Sequence, residues 1–97
     1  MKTFYFKEIS SYINSLSKQD GARLRRIRQL FETYGFQIGP KYIKKITGNI
    51  WELRAGNIRL FVCVKENNIY GVHIITKKSQ KLPKSDINLA VKRSKKI

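Results

Sequence analysis

Two Gly-Asn steps, Gly48-Asn49 and Gly56-Asn57, frame the stretch Ile50-Trp51-Glu52-Leu53-Arg54-Ala55. The second step leads into Ile58-Arg59-Leu60-Phe61-Val62-Cys63-Val64. Gly-Asn suits a two-residue hairpin turn, and β-branched and aromatic flanks suit strands. A two-residue turn at Gly56-Asn57 pairs Ala55 with Ile58 and Arg54 with Arg59. Directly opposite residues share a face. Glu52, Arg54, Arg59, Phe61 and Cys63 then lie on one face, and Trp51, Leu53, Ile58, Leu60 and Val62 on the other. The second set is apolar and should meet the helices. The first is expected to be half-open, with two like charges side by side, which is destabilising. Two readings stay open. Glu52, diagonal to Arg59, makes a surface Arg–Glu pair of little energetic value. Or the two guanidiniums, whose forks match a phosphodiester, form a phosphate site.

The rest of the chain sorts by period. Phe4-Tyr5-Phe6 suggests a short early strand. Ile9, Tyr12, Ile13 and Leu16 recur at helical spacing. Asp20 is a fair N-cap for a second helix, with Leu24, Ile27, Leu30, Phe31 and Tyr34 as its apolar stripe and Gly35 at its end. From there the pattern turns to strands: Tyr42–Ile46, Ile50–Arg54, Ile58–Lys65 and Ile69–Lys77. Asn67-Asn68 marks the last turn. If that turn has two residues, Lys78 joins the Arg54/Arg59 face. If Glu66-Asn67-Asn68 is a three-residue loop, His73, Ile75 and Lys77 join it instead, because a one-residue slip exchanges the faces. Pro83 suits the first turn of a last helix, whose short apolar face is Ile87, Ala90 and Val91. The expectation is one α+β domain over residues 1–97. An N-terminal helical hairpin packs on one face of a twisted antiparallel sheet of three or four strands, and a short C-terminal helix follows.

Charge narrows the partners. Lys and Arg number 21 against 6 Asp and Glu, a net charge of +15 on 97 residues. Such an excess repels itself and points to a polyanion. Arg23, Arg25, Arg26 and Arg28 line the outer face of the second helix. Lys77, Lys78, Gln80 and Lys81 form a loop, and Lys92 and Arg93 begin a basic tail. These are candidate RNA-binding or ribosome-binding residues. His73, the single histidine, is either a structural residue or a proton carrier. Cys63, the single cysteine, excludes an internal disulfide and reads as a small core hydrophobe. No secretory signal or membrane span is legible, so a cytoplasmic protein without membrane contact is expected. Zinc clusters, phosphate-cradling glycine loops and paired carboxylates are missing from the pattern. RNA cleavage, if any, would then use no metal or cofactor. Basic groups would stabilise charge developing on the phosphate, with the ribose 2′-OH as nucleophile.

The motifs together resemble a known family. They are Trp51-Glu52-Leu53-Arg54, Ile58-Arg59-Leu60-Phe61, Val72-His73, Lys77-Lys78-Ser79-Gln80-Lys81-Leu82-Pro83 and Ile87…Ala90…Lys92-Arg93. They are similar to the HigB-type, phage-related branch of the RelE/ParE toxin superfamily of type II toxin–antitoxin systems. The likeness runs over about residues 42–93, and the helical hairpin before it fits by order and size. It implies a RelE-like fold and a toxin that binds the ribosome and cleaves translated mRNA in the A site. It also implies a cognate HigA-like helix-turn-helix antitoxin. Arg54, Arg59, Lys77 and Lys78 match the family's basic catalytic positions, and His73 matches a histidine common in the branch. Some relatives carry a tyrosine near the C-terminal helix, and this chain has none after Tyr70. The competing functions are a ParE-like DNA gyrase poison and a non-catalytic basic RNA-binding module.

Overall fold

The structure, a computed structural model, describes residues 1–78 and 81–97. The elements run β1 (Lys2–Tyr5), α1 (Lys7–Ser15), α2 (Lys18–Tyr34), β2 (Ile43–Thr47), β3 (Ile50–Ala55), β4 (Ile58–Lys65), β5 (Asn68–Thr76) and α3 (Lys84–Ser94). A 3₁₀ turn at Gly35–Ile38 follows α2. The helical hairpin is present, but Ser17 rather than Asp20 caps α2. Its hydroxyl accepts the Asp20 N–H at 3.1 Å. Serine caps as well as aspartate does, and nothing in Lys18 or Gln19 opposes a helix. Asp20 then falls in the first turn, where its charge favours the helix dipole. Tyr34, assigned to the apolar stripe, is exposed.

Among the described residues the sheet has five strands, in the order β1-β5-β4-β3-β2. It is mixed, not purely antiparallel: β1 pairs with β5 in parallel, from Lys2↔Asn68 to Tyr5↔Gly71. A four-residue strand carries no mark of its direction, so the sequence could not distinguish this. The central hairpin has the expected register, Ala55↔Ile58 and Arg54↔Arg59. Gly56 adopts φ +61°, the left-handed angle that the turn demands.

The β4–β5 connection follows neither expected turn. Lys65 pairs with Asn68, so the two turn residues are Glu66 and Asn67, both at positive φ. That turn alone would pair Arg59 with Ile74. A bulge intervenes between Val62↔Gly71 and Phe61↔His73. It shifts the register by one, so that Arg59 lies opposite Ile75. His73 and Ile75 thereby reach the arginine face.

Helices cover both sides of the sheet. On one, Leu53, Ala55, Ile58, Leu60 and Val62 pack with Ile9 of α1 and Leu24, Ile27 and Phe31 of α2. On the other, Ile50, Phe61, Cys63 and Val72 pack with Ala90 of α3. The arginine face is therefore partly roofed, where a half-open face was expected. Pro83 stands just before α3 as its N-cap. The stripe facing the sheet centres on Ala90 and includes Asp86 and Arg93, four before and three after it. Their polar ends meet His73 rather than solvent, which is why an apolar periodicity did not reveal them.

Candidate nucleic-acid interface

Two cross-strand rows build the face under α3. One runs Lys44–Glu52–Phe61–His73, and the next Arg54–Arg59–Ile75. Glu52 is 1% exposed, a buried carboxylate where a surface pair was one expectation. Arg54 Nε donates to its Oε1 at 2.6 Å, and Arg59 Nε lies 3.8 Å from the same oxygen. Arg59 Nη1 turns back to donate to the carbonyls of Gly56 and Ile58. The opposed arginines thus share one carboxylate, and one guanidinium points into its own turn. Burial pushes the Arg59 pKa down, Glu52 pulls it up and Arg54 pushes it down again. An arginine so shifted still carries its charge at neutral pH. Among the described residues, Arg59 Nε is the buried side-chain donor without a hydrogen-bond partner. Two cations against one anion leave this spot net positive.

The surplus faces an open cleft of about 320 Å3 beyond the N-terminal end of α3. Lys44, Glu52, Arg54, Lys77, Lys81 and Ile87 are among its walls. The β5 register brings Lys77 here, and its N–H is anchored to Asn57 O at 2.7 Å. Lys78, the next residue, lines a different cavity with Tyr12 and Thr76. Gln80 lies outside the described residues.

His73 is held on every side. Its ring stacks on Phe61, its cross-strand partner, with centroids 5.6 Å apart. Arg93 Nη1 lies 3.2 Å from His73 Nδ1 and donates to Val72 O at 3.0 Å. A guanidinium only donates, so Nδ1 accepts. The ring proton sits on Nε2, which donates to Asp86 Oδ1 at 2.7 Å. Both ring nitrogens are engaged in docking α3, and Arg93 is folded inward with the histidine.

The remaining candidates are dispersed. Arg25 and Arg28 line a groove of about 360 Å3 between α1 and α2, on the opposite face of the sheet from Glu52. Arg28 lowers the Tyr5 phenol pKa, which burial raises more strongly. Arg26 is exposed on the same helix, and Lys92 is exposed on α3. Arg23 of the α2 row reaches the hairpin: a Cβ on Gly56 would meet its Nη1 at 2.5 Å. Lys44 and Tyr12 were not singled out. The Gly48-Asn49 turn alone would put Lys45 opposite Glu52; a bulge between Lys45 and Thr47 shifts the register by one and brings Lys44 there instead. Tyr12 carried no signal beyond its helical spacing. No group of three or more His, Cys, Asp or Glu among the described residues is placed to hold a metal ion, and no helix there is long and apolar enough to cross a membrane.

A small basic α+β domain with a cation-lined cleft at one end of a roofed sheet is the class these features define, and solved structures share the fold. A chain of the archaeal RelE–RelB complex from Pyrococcus horikoshii superposes with a TM-score of 0.65 at 17% identity. The match covers 82% of this chain and 97% of that one. No curated protein matches in sequence. The sequence profile of the family described as phage derived protein Gp49-like (DUF891) matches residues 11–95, so the chain belongs to that family.

Proposed function

We propose that the chain is the toxin of a type II toxin–antitoxin system and that it cleaves ribosome-bound mRNA. One observation carries this reading: Lys44 of β2, Arg54 of β3, and Lys77 and Lys81 of the β5–α3 connection gather around one cleft. Unspecific excess charge would be spread over the surface. Family membership and the RelE-like fold support the same reading. The solved relative is described as a complex with RelB, which supports an antitoxin partner here, proposed as a small helix-turn-helix protein.

The cleft offers cations, and its carboxylate, Glu52, is committed to Arg54. In the reaction the ribose 2′-OH attacks the adjacent phosphorus while the P–O5′ bond breaks, leaving a 2′,3′-cyclic phosphate; water takes the 2′-hydroxyl proton and protonates the departing 5′ oxygen. Arg54 and Lys77 stabilise the charge that builds on the phosphoryl oxygens. Lysine and arginine carry protons poorly at neutral pH, and both nitrogens of His73 are engaged. Alignment by the ribosome then supplies much of the rate.

The test is 5′-end mapping of cellular mRNA after a brief pulse of expression, for the wild type and for Arg54→Ala and Lys77→Ala. New cuts in translated frames that vanish in both variants support the reading. Growth arrest with intact mRNA and DNA-damage signalling would replace it with gyrase poisoning. RNA binding without cleavage or arrest would reduce the chain to a binding module.

A further inference from the structure

A second cavity adjoins the arginine cleft. It arises because β1 pairs with β5 only as far as Gly71. Among the described residues, this edge of β5 has no strand partner beyond Gly71. Residues of α1, on one side of the sheet, and of the α3 entry, on the other, flank the gap without closing it. The cavity measures about 370 Å3, near the lower end of the roughly 300–1,000 Å3 typical of ligand pockets. Its walls include Tyr12, Ile75, Thr76, Lys77, Lys78 and Pro83. Lys77 and Lys81 line both this cavity and the arginine cleft, so the two are neighbours across a ridge of ammonium groups.

We propose that the edge cavity is a nucleotide subsite. It takes the nucleotide beside the phosphate held in the arginine cleft, with its own phosphate against Lys77 and Lys78 and its base against the Tyr12 ring and Pro83. The inference rests on the RNA reading above and adds Tyr12 and Lys78 as substrate-positioning residues. The lining discriminates among ligands. A bare anion has no use for the apolar walls of Ile75, Pro83 and the tyrosine ring. An apolar ligand would strand the lysines. Asp86 also lines the cavity, with Oδ1 held by His73. A carboxylate there repels a bare anion and accepts from the N–H groups of a base. A nucleotide satisfies both ends.

Tyr12 is set for the task before RNA arrives. Its hydroxyl bonds Thr76 Oγ1 at 2.7 Å across 64 positions of sequence, which holds the ring over the end of β5. The two lysines follow the end of β5 and divide between the sites: Lys77 lines both cavities, while Lys78 lines the edge cavity only.

The experiment measures anisotropy of a short labelled single-stranded RNA on the purified chain, with 5′-end mapping of cellular mRNA after expression in parallel. Tyr12→Ala should weaken binding by a factor of about 5–150, the range of aromatic base stacking. Tyr12→Phe, which keeps the ring and loses the Thr76 bond, should lie close to the wild type. Lys78→Gln, at an exposed position where folding is not at risk, should reduce the slope of log affinity against log salt by about 0.7, one phosphate contact to a single strand. Cuts made by Tyr12→Ala should lose their dependence on the flanking base. Binding by Tyr12→Ala equal to wild type, or an unchanged slope in Lys78→Gln, overturns the subsite and leaves the nuclease proposal standing. A wild-type chain that binds no RNA and makes no cuts overturns both.

Discussion

Replacing Glu52 by glutamine isolates the charge at the centre of the arginine face. The side chain keeps its volume and an acceptor for Arg54 Nε, and loses the anion between two cations. A pair of unit charges at about 4 Å is worth about 4 kcal/mol at an effective dielectric of 20. Glu52 has one such partner at 2.6 Å and another at 3.8 Å. Against this stands the desolvation of the carboxylate itself, several kcal/mol, which the substitution relieves. The arginine heads also remain partly wet, with side chains 29% and 14% exposed. The net loss is therefore about 2–3 kcal/mol, below the roughly 3–5 kcal/mol of a fully buried broken pair. For a domain of this length the melting temperature should fall by about 10–20 °C. Circular dichroism melts of Glu52→Gln, Arg59→Gln and the double variant form the assay. The double variant should recover part of the loss, because it removes the unpaired cation too. Glu52→Gln should also bind RNA more tightly, since the cleft becomes more positive. A melting temperature within a few degrees of wild type, with no coupling to Arg59, would show that the carboxylate does not reconcile the arginines.

Three further outcomes follow from the same geometry. Asp86→Asn weakens the hold of α3 on His73, so hydrogen exchange should quicken in α3 well before α2, at a stability loss of about 1–3 kcal/mol for a disrupted charged hydrogen bond. Gly56→Ala puts a side chain at φ +61° against the flexible end of Arg23; the arginine moves aside, the backbone does not, and stability should drop by about 1–2 kcal/mol in a chemical denaturation curve. Burial raises the thiol pKa of Cys63 and the phenol pKa of Tyr5 above their ordinary values. Their contributions are fully present below the ordinary thiol and phenol ranges and are lost as pH climbs through the raised folded values. Native Cys63 should therefore alkylate far more slowly than in denaturant, and the stability that these two groups contribute should decline in alkaline solution.

Much of the scaffold was legible because its signals are local. The Gly56-Asn57 turn dictated the pairing of Arg54 with Arg59, and side-chain alternation then assigned both faces of β3 and β4. Helical spacing found α1, α2 and α3 within a few residues. The misplaced boundaries have local causes as well: Ser17 and Asp20 are both competent caps, and Pro83 fits either side of a helix start. The β5 register could not be read, because a Glu66-Asn67 turn and a downstream bulge shift it in ways that neither leaves a composition mark. The direction of β1 likewise depends on where the chain returns, not on what its four residues are.

The candidate site divides along the same line. The hairpin register paired Arg54 with Arg59, and the family resemblance grouped them with His73, Lys77 and Lys78. Packing decided which of them lie together. Arg59 folds onto its own turn, Lys77 meets Arg54, and Lys78 looks into another cavity. Glu52 became a buried counter-ion because α3 roofs that face, and Arg93 and His73 became its fastening. Tyr12 reached Thr76 only once α1 was laid beside the bare end of β5. By itself the sequence determined the hairpin, the amphipathic helices and the surplus of positive charge, since each follows from neighbours a few residues apart. The tertiary structure decided which charges are neutralised and which face the cleft, because that depends on distances between groups that only the closed sheet and its two helical layers bring together.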